Sequence, residues 1–337
     1  DLLNVFANFG KEHSVSLRDP ASLKAFMSYA EQALSQAVNS DILLHGQRTE
    51  RMFEALTVSL GHYTLLKKED LGTVHPAGSY IAPDFRAVLK DGTQWLVEVK
   101  NVYNQNPSLQ RFSAKDDYLS RMINYARIVG CQLKFALYWA RWSIWTVVDH
   151  SELSRVGQRW TIDMLQAMRV NEMAVLGDRI VATKPPLRFR VIASSAHPRT
   201  IDPDGKVQFT AERAALYCVN TEITDPIEKH IAWTFMNFGD WKCSEPTALT
   251  SNGTLDAIEL EWTPREHANP DQEFEIVGTL STMFSRDYAV RTLSEEGVVQ
   301  TEAELRPDWL LPIIDAHSKN SSLPLWSFVL QPNRANC

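Results

Sequence analysis

Apolar side chains first recur at helical spacing. Leu23, Phe26, Met27, Ala30 and Leu34 follow Asp19-Pro20, a capping residue and a first-turn proline. This predicts an N-terminal helical segment over 1–41. A second helical run over 42–60 stops at Gly61. The period then falls from about 3.6 to 2. Residues 62–66, 80–89 and 95–102 read as strands, the last two joined by an Asp91-Gly92 turn. Residues 113–129 return to helix, with Leu119, Met122, Ile123, Ala126 and Val129 on one face. Ser113 and Asp116 read as a capping box at its start, and Gly130 ends it. Residues 132–140 and 143–149 predict two further strands. The order helix, three strands, helix, strands predicts an α/β domain over 42–183 with a mixed sheet.

Lys184-Pro185-Pro186, followed by Ser194, Ser195, Pro198, Pro203 and Gly205, reads as a linker over 184–205. Beyond it, Asp225-Pro226 opens a helix that ends at Gly239, and strands are predicted over 255–262 and 274–280. Residues 206–337 are thus expected to form a second, α+β domain with a recognition or partner-binding role. Trp233, Phe235, Phe238 and Trp241 are expected in its core.

The side-chain pattern around the first hairpin carries chemistry. Side chains alternate between faces along a strand. Trp95, Val97 and Val99 therefore share one face and can pack into a core, while Leu96, Glu98 and Lys100 share the other. A carboxylate and an ammonium on an otherwise apolar strand are costly unless paired or used. On the preceding strand, Pro83 cannot donate a ladder hydrogen bond, so pairing weakens at Asp84 and its carboxylate can turn toward Glu98. Two converging carboxylates repel unless a cation sits between them. Oxygen ligands of this kind suit Mg²⁺, with Mn²⁺ as a substitute. Lys100 then lies beside the cation, where it can orient or deprotonate a water. Carboxylates raise its pKa while burial and a metal lower it, so its protonation state stays open at this point.

Pro83-Asp84, followed after a gap by Glu98-Val99-Lys100, resembles the signature of the PD-(D/E)XK nuclease superfamily, which includes restriction endonucleases and Holliday junction resolvases. The resemblance spans roughly residues 42–150. It implies a restriction-endonuclease-like central mixed sheet flanked by helices, with the metal held by Asp84, Glu98 and the backbone carbonyl of Val99, and Lys100 near the attacking water. It also implies an acidic residue on the preceding helix. Glu50 fits that place, acting through water, with Glu54 one turn further on as the fallback. The family pattern places a Gln or Lys on the following helix, for which this chain offers Lys115 or Asn124.

The activity implied is Mg²⁺-dependent hydrolysis of DNA phosphodiesters by an endonuclease, in restriction or phage defence. The DNA-cutting subunit of a multi-protein transposase and a non-catalytic DNA-binding scaffold are the alternatives. A homodimer or partner subunits would accompany DNA cutting.

Charge and cysteine content narrow this picture. The net charge is −7, so contact with DNA must be local rather than spread over the surface. Lys115, Arg121 and Arg127, with Arg111, Lys134 and Arg141 nearby, are the candidates for phosphate contact. Lys184, Arg188 and Arg190 around Phe189 read more simply as an exposed strand edge, and Asp256, Glu259 and Glu261 as surface charges. Cys131, Cys218, Cys243 and Cys337 are too scattered for a zinc knuckle or redox pair. No apolar run approaches the roughly 20 residues needed to span a bilayer. A soluble, cytoplasmic protein with no membrane partner is expected.

Overall fold

The computed structural model describes residues 2–69, 78–266, 272–307, 309–315 and 321–333. It opens with three helices: α1 (Leu2–Glu12), α2 (Pro20–Val38) and α3 (Asp41–Leu60). Asp19 caps α2 as its sequence predicts, accepting from Ala21 N at 2.9 Å, with Pro20 in the first turn. Gly61 ends α3 at φ +68°, a left-handed conformation that glycine adopts at little cost.

The strands β1 (Tyr63–Lys68), β2 (Phe85–Leu89) and β3 (Gln94–Val102) follow. After them come β4 (Arg111–Lys115), α4 (Asp116–Val129), β5 (Gln132–Trp139) and β6 (Ile144–Asp149). The main sheet has the order β1-β2-β3-β5-β6. β3 and β5 run parallel, and the other neighbours run antiparallel. Alternation along β3 sorts its side chains as expected. Trp95, Val97 and Val99 join one core with Met52, Phe53 and Leu56 of α3. Leu96 and Val102 join another with Leu119, Met122 and Ala126 of α4.

Two predicted boundaries move. Ser113 does not cap a helix. It lies in β4, which pairs with β8 (Arg159–Asp163), and β8 pairs in turn with β7 (Ser154–Val156). Phe112 and Ala114 are buried on one face of β4, so tertiary pairing overrides the local capping signal. α4 starts only at Asp116, with no side-chain hydrogen bond at its cap, Lys115. The strand expected over 80–89 begins at Phe85, after the proline at position 83.

The chain continues through α5 (Met164–Arg169), β9 (Ile180–Thr183), β10 (Leu187–Ala193) and a short hairpin of β11 (Thr200–Ile201) and β12 (Val207–Gln208). Then come β13 (Ala211–Cys218), β14 (Thr221–Ile223), α6 (Pro226–Phe238), β15 (Lys242–Cys243), β16 (Thr247–Ser251), β17 (Thr254–Thr263), β18 (Glu275–Thr279), α7 (Leu280–Thr292), α8 (Leu311–Asp315) and β19 (Leu325–Phe328). β10 sits between β13 and β17 inside a six-stranded sheet, and β9 sits between β18 and β19. Residues 187–193 are therefore no linker. The prolines and serines that suggested one flank a strand whose ends, Leu187 and Ala193, are buried.

One apolar cluster joins Phe53, Trp95 and Trp145 to Leu187, Phe235, Val277, Phe284 and Tyr288. Phe235 and Trp241 are buried as predicted, whereas Trp233 is half-exposed and packs its ring edge-on to Phe189. The whole is a mixed α/β structure. Among the described residues, no helix is long and apolar enough to cross a membrane.

Candidate active site

The site forms where the β2–β3 ladder stops. The last rung pairs Phe85 with Val97. Continuing that register would set Asp84 opposite Glu98 and Pro83 opposite Val99. Pro83 has no N–H to continue the exchange. The Asp84 carboxylate takes over instead, and its Oδ2 accepts from Val99 N at 2.7 Å. The N–H and C=O of one strand residue point to the same edge. The carbonyl of Val99 therefore faces the same side, where Pro83 has nothing to donate. The backbone of Asp84 is held from behind, because its carbonyl accepts from Glu69 N at 2.9 Å. The Glu69 carboxylate is itself fixed by Arg86 (2.8 Å) and the Tyr125 hydroxyl (2.7 Å).

Glu98 is 3 % exposed. Its Oε1 accepts from Lys100 Nζ at 2.5 Å and from the Tyr118 hydroxyl. The Lys100 ammonium also lies 5.7 Å from the centre of the Tyr118 ring. Among the described residues, Asp84 Oδ1 and Glu98 Oε2 take part in no hydrogen bond.

The charges explain the electrostatics. Burial, and then the neighbouring Glu98 charge, push the Asp84 carboxyl up to about 7, against the pull of the Val99 amide and Lys100. Burial alone would lower the pKa of Lys100, but Glu98, Tyr118 and Asp84 together hold it above the ordinary lysine range. The question left open by the sequence is thus answered for the chain alone: Lys100 keeps its proton. Burial, followed by the charge on Glu98, raises the Tyr118 hydroxyl to about 12, so it remains a donor.

The structure brings Asp84, Glu98 and Lys100 together. Glu50 stands at one remove: it pairs with Lys68 of β1 at 3.3 Å, although its charge still adds to the upward push on Asp84. Glu54 is tied to Arg51. Among the described residues, no three His, Cys, Asp or Glu side chains group as a metal site. The donors that fit a hard cation are therefore the two carboxylate oxygens without hydrogen bonds and the Val99 carbonyl.

The residue that α4 contributes is Tyr118, not Lys115 or Asn124. Lys115 is exposed, and Asn124 accepts from Arg127 at 3.4 Å. Tyr118 is the third residue of the helix, and its place beside Glu98 depends on how α4 packs. The only available signal was that α4 must pack on the Glu98 face.

Of the proposed phosphate contacts, Arg121 lies beside the site loop, since its carbonyl accepts from Ile81 N, but its guanidinium also sits 3.8 Å from Asp117. Arg127 is exposed further along the helix. Lys134 is buried between Asp149 (3.0 Å) and Glu172 (2.7 Å), which removes it from any interface. Arg188 and Arg190 pair with Glu261 (2.8 Å) and Glu259 (2.5 Å), so that strand carries a neutralised charge ladder.

Fold and site together define a mixed α/β protein with a paired-carboxylate and lysine centre at a broken strand ladder. No protein-family model and no curated protein matches the chain. Among solved structures it is similar to Hjc, a Holliday junction resolvase from the archaeal hyperthermophile Archaeoglobus fulgidus. The TM-score is 0.30 and the identity 21 %, covering 39 % of this chain and 100 % of that one. A likeness at that score carries no functional weight, and the chemistry is read from the residues.

Proposed function

We infer that the chain is a Mg²⁺-dependent endonuclease that hydrolyses DNA phosphodiesters. The observation that carries this reading is the crowding of Asp84 and Glu98 at the end of the β2–β3 ladder with Lys100 held on Glu98. Asp84, Glu98 and the Val99 carbonyl would hold the cation, with Glu50 reaching it through water. When bound, Mg²⁺ supplies an acidified water and charge stabilisation at the phosphoryl oxygens.

The chain's own groups do the rest. The Asp84 amide contact and the Tyr118 hydroxyl fix the two carboxylates before substrate arrives, which limits reorganisation during reaction. Lys100, protonated and only partly exposed, offers a cation to a phosphate oxygen or a donor that orients the attacking water. Arg121 on α4 and Lys115, the residue that precedes the helix, would supply positive charge for the DNA backbone. A place in restriction or phage defence rests on the sequence resemblance alone.

The test is cleavage of supercoiled plasmid by the purified chain. Mg²⁺ and Mn²⁺ should each support nicking or linearisation, and EDTA should abolish it. Lys100→Ala and Glu98→Gln should lower the rate about a hundredfold or more while keeping the wild-type circular dichroism spectrum. If the folded wild-type chain cuts no plasmid, single-stranded or branched DNA in Mg²⁺, the reading fails.

A further inference from the structure

The geometry points to α2 as a self-association element: two copies of this chain pack α2 against α2, antiparallel, through Leu23, Met27, Ala30 and Leu34. One side of α2 is used within the chain. Ser22 and Phe26 are buried there, and the Phe26 ring meets Phe6 (5.3 Å) and Phe9 (5.5 Å) of α1. Tyr29 completes that side against Phe9. The neighbouring side is largely bare, with Leu23 52 %, Met27 60 % and Leu34 65 % exposed and Ala30 partly exposed. Val38 at the end of α2 and Ile42 and Leu43 at the start of α3 extend the exposed apolar surface. Exposed apolar side chains recurring on one helix face mark an interface more often than a solvated face.

The spacing of four, three and four residues is that of a coiled-coil seam. The seam residues and their flanking charges identify a second copy of the chain as the occupant, and they set its direction. In an antiparallel pair, Leu23 meets the partner's Leu34 and Met27 meets the partner's Ala30, so a long side chain fills the space above a short one. A parallel pair would set Ala30 against the partner's Ala30 and leave a gap in the seam. Lys24 and Glu31 lie on the same edge of the seam, on the far side from α1. Antiparallel packing brings Lys24 beside the partner's Glu31, and symmetry repeats that pair. A parallel arrangement forms neither pair. Within its own chain, and among the described residues, neither Lys24 nor Glu31 makes an ion pair. The charges on this edge are therefore complementary to themselves under a two-fold axis. The assembly would carry two candidate active sites, one for each strand of a duplex.

Sedimentation of the full chain over a range of concentrations tests this, and it does not depend on whether the protein cuts DNA. The wild type should dissociate reversibly from dimer to monomer on dilution. Met27→Glu should leave it monomeric with an unchanged circular dichroism spectrum. Lys24→Glu and Glu31→Lys should each raise the dissociation constant about tenfold, since each turns two attractive pairs repulsive. The Lys24→Glu/Glu31→Lys double variant should return to the wild-type value. So should an equimolar mixture of the two single variants, which form complementary heterodimers. A wild type that stays monomeric at every concentration overturns the proposal. So does a dimer indifferent to Met27→Glu, or a charge-swapped double variant no tighter than the singles.

Discussion

Tyr118 and Lys100 compete for the same oxygen of Glu98. This arrangement leaves the other oxygen without a hydrogen bond among the described residues, so the tyrosine is a positioning residue for the carboxylate. Tyr118→Phe removes one donor and keeps the ring beneath the Lys100 ammonium. The expected result is a roughly tenfold fall in the Mg²⁺-dependent cleavage rate, with stability changed by only about 1 kcal/mol. Single-turnover cleavage and urea unfolding read the two effects separately, and a variant that cuts at the wild-type rate would remove Tyr118 from the site. Asp178 is a further acid whose carboxyl pKa is raised, and it is buried. Burial raises its carboxyl to about 6, although Ser281 and the Arg179 amide pull the other way. Its folded pKa lies above the unfolded value of about 3.9. Below that value both states are protonated and no penalty exists. As pH rises toward 6 the unfolded chain ionises first, so the group progressively destabilises the fold, and above about 6 the penalty is complete. Asp178→Asn cannot ionise. From pH 4.5 to 7.5 the wild type should lose on the order of 2 kcal/mol relative to that variant in urea unfolding. Equal pH slopes for the two proteins would show that Asp178 ionises as easily in the fold as outside it.

The site depends on where one strand ends. Pro83 lies in the register position that would face Val99, and it halts the ladder so that Asp84 answers Val99 with a side chain instead of a carbonyl. Pro83→Val restores the missing N–H with a side chain of similar size. β2 should then lengthen by two residues and draw the Asp84 carboxylate off Val99. The expected outcome is a cleavage rate at least tenfold lower with stability held or improved, together with slower hydrogen exchange at Val99. Unchanged exchange and unchanged cutting would mean that the proline is not what ends the strand. This part of the molecule was legible in the sequence because its causes are local: alternation along Gln94–Val102, the Asp91-Gly92 turn and the donor missing at Pro83. β4 was not legible. Ser113 and Asp116 carry a helix-start signal, and only pairing with Arg159–Asp163, more than forty residues away, turns the segment into a strand. The contact of Tyr118 with Glu98 was not legible for the same reason. It depends on how α4 packs across the sheet, not on the neighbours of Tyr118 in sequence.

At the scale of the molecule, composition misled where the core did not. A run of Pro, Ser and Gly over 184–205 resembles a hinge, yet it brackets β10, and the apolar cluster passes from the main sheet into the C-terminal half without interruption. Polar contacts cross the same boundary. Arg48 Nε donates to Thr292 Oγ1 at 2.8 Å, Ser59 Oγ to the Arg306 carbonyl at 2.8 Å, and Trp145 Nε1 to Ser285 Oγ at 3.0 Å. The Trp145 and Phe53 rings, in contact across the sheet face, belong to the same cluster as Phe284 and Tyr288 of α7. A fragment ending at residue 183 would keep the candidate site and lose the cover over that face. Its exposed aromatic and aliphatic area should exceed what a stable fold tolerates. The full chain should therefore unfold in urea with coincident fluorescence and circular dichroism transitions. Fragment 1–183 should show helical circular dichroism without a cooperative transition, and should bind a hydrophobic dye. A fragment that melts sharply and keeps Mg²⁺-dependent cutting would establish instead that the site rests on an independent unit, with the shared core only an interface between two folded bodies.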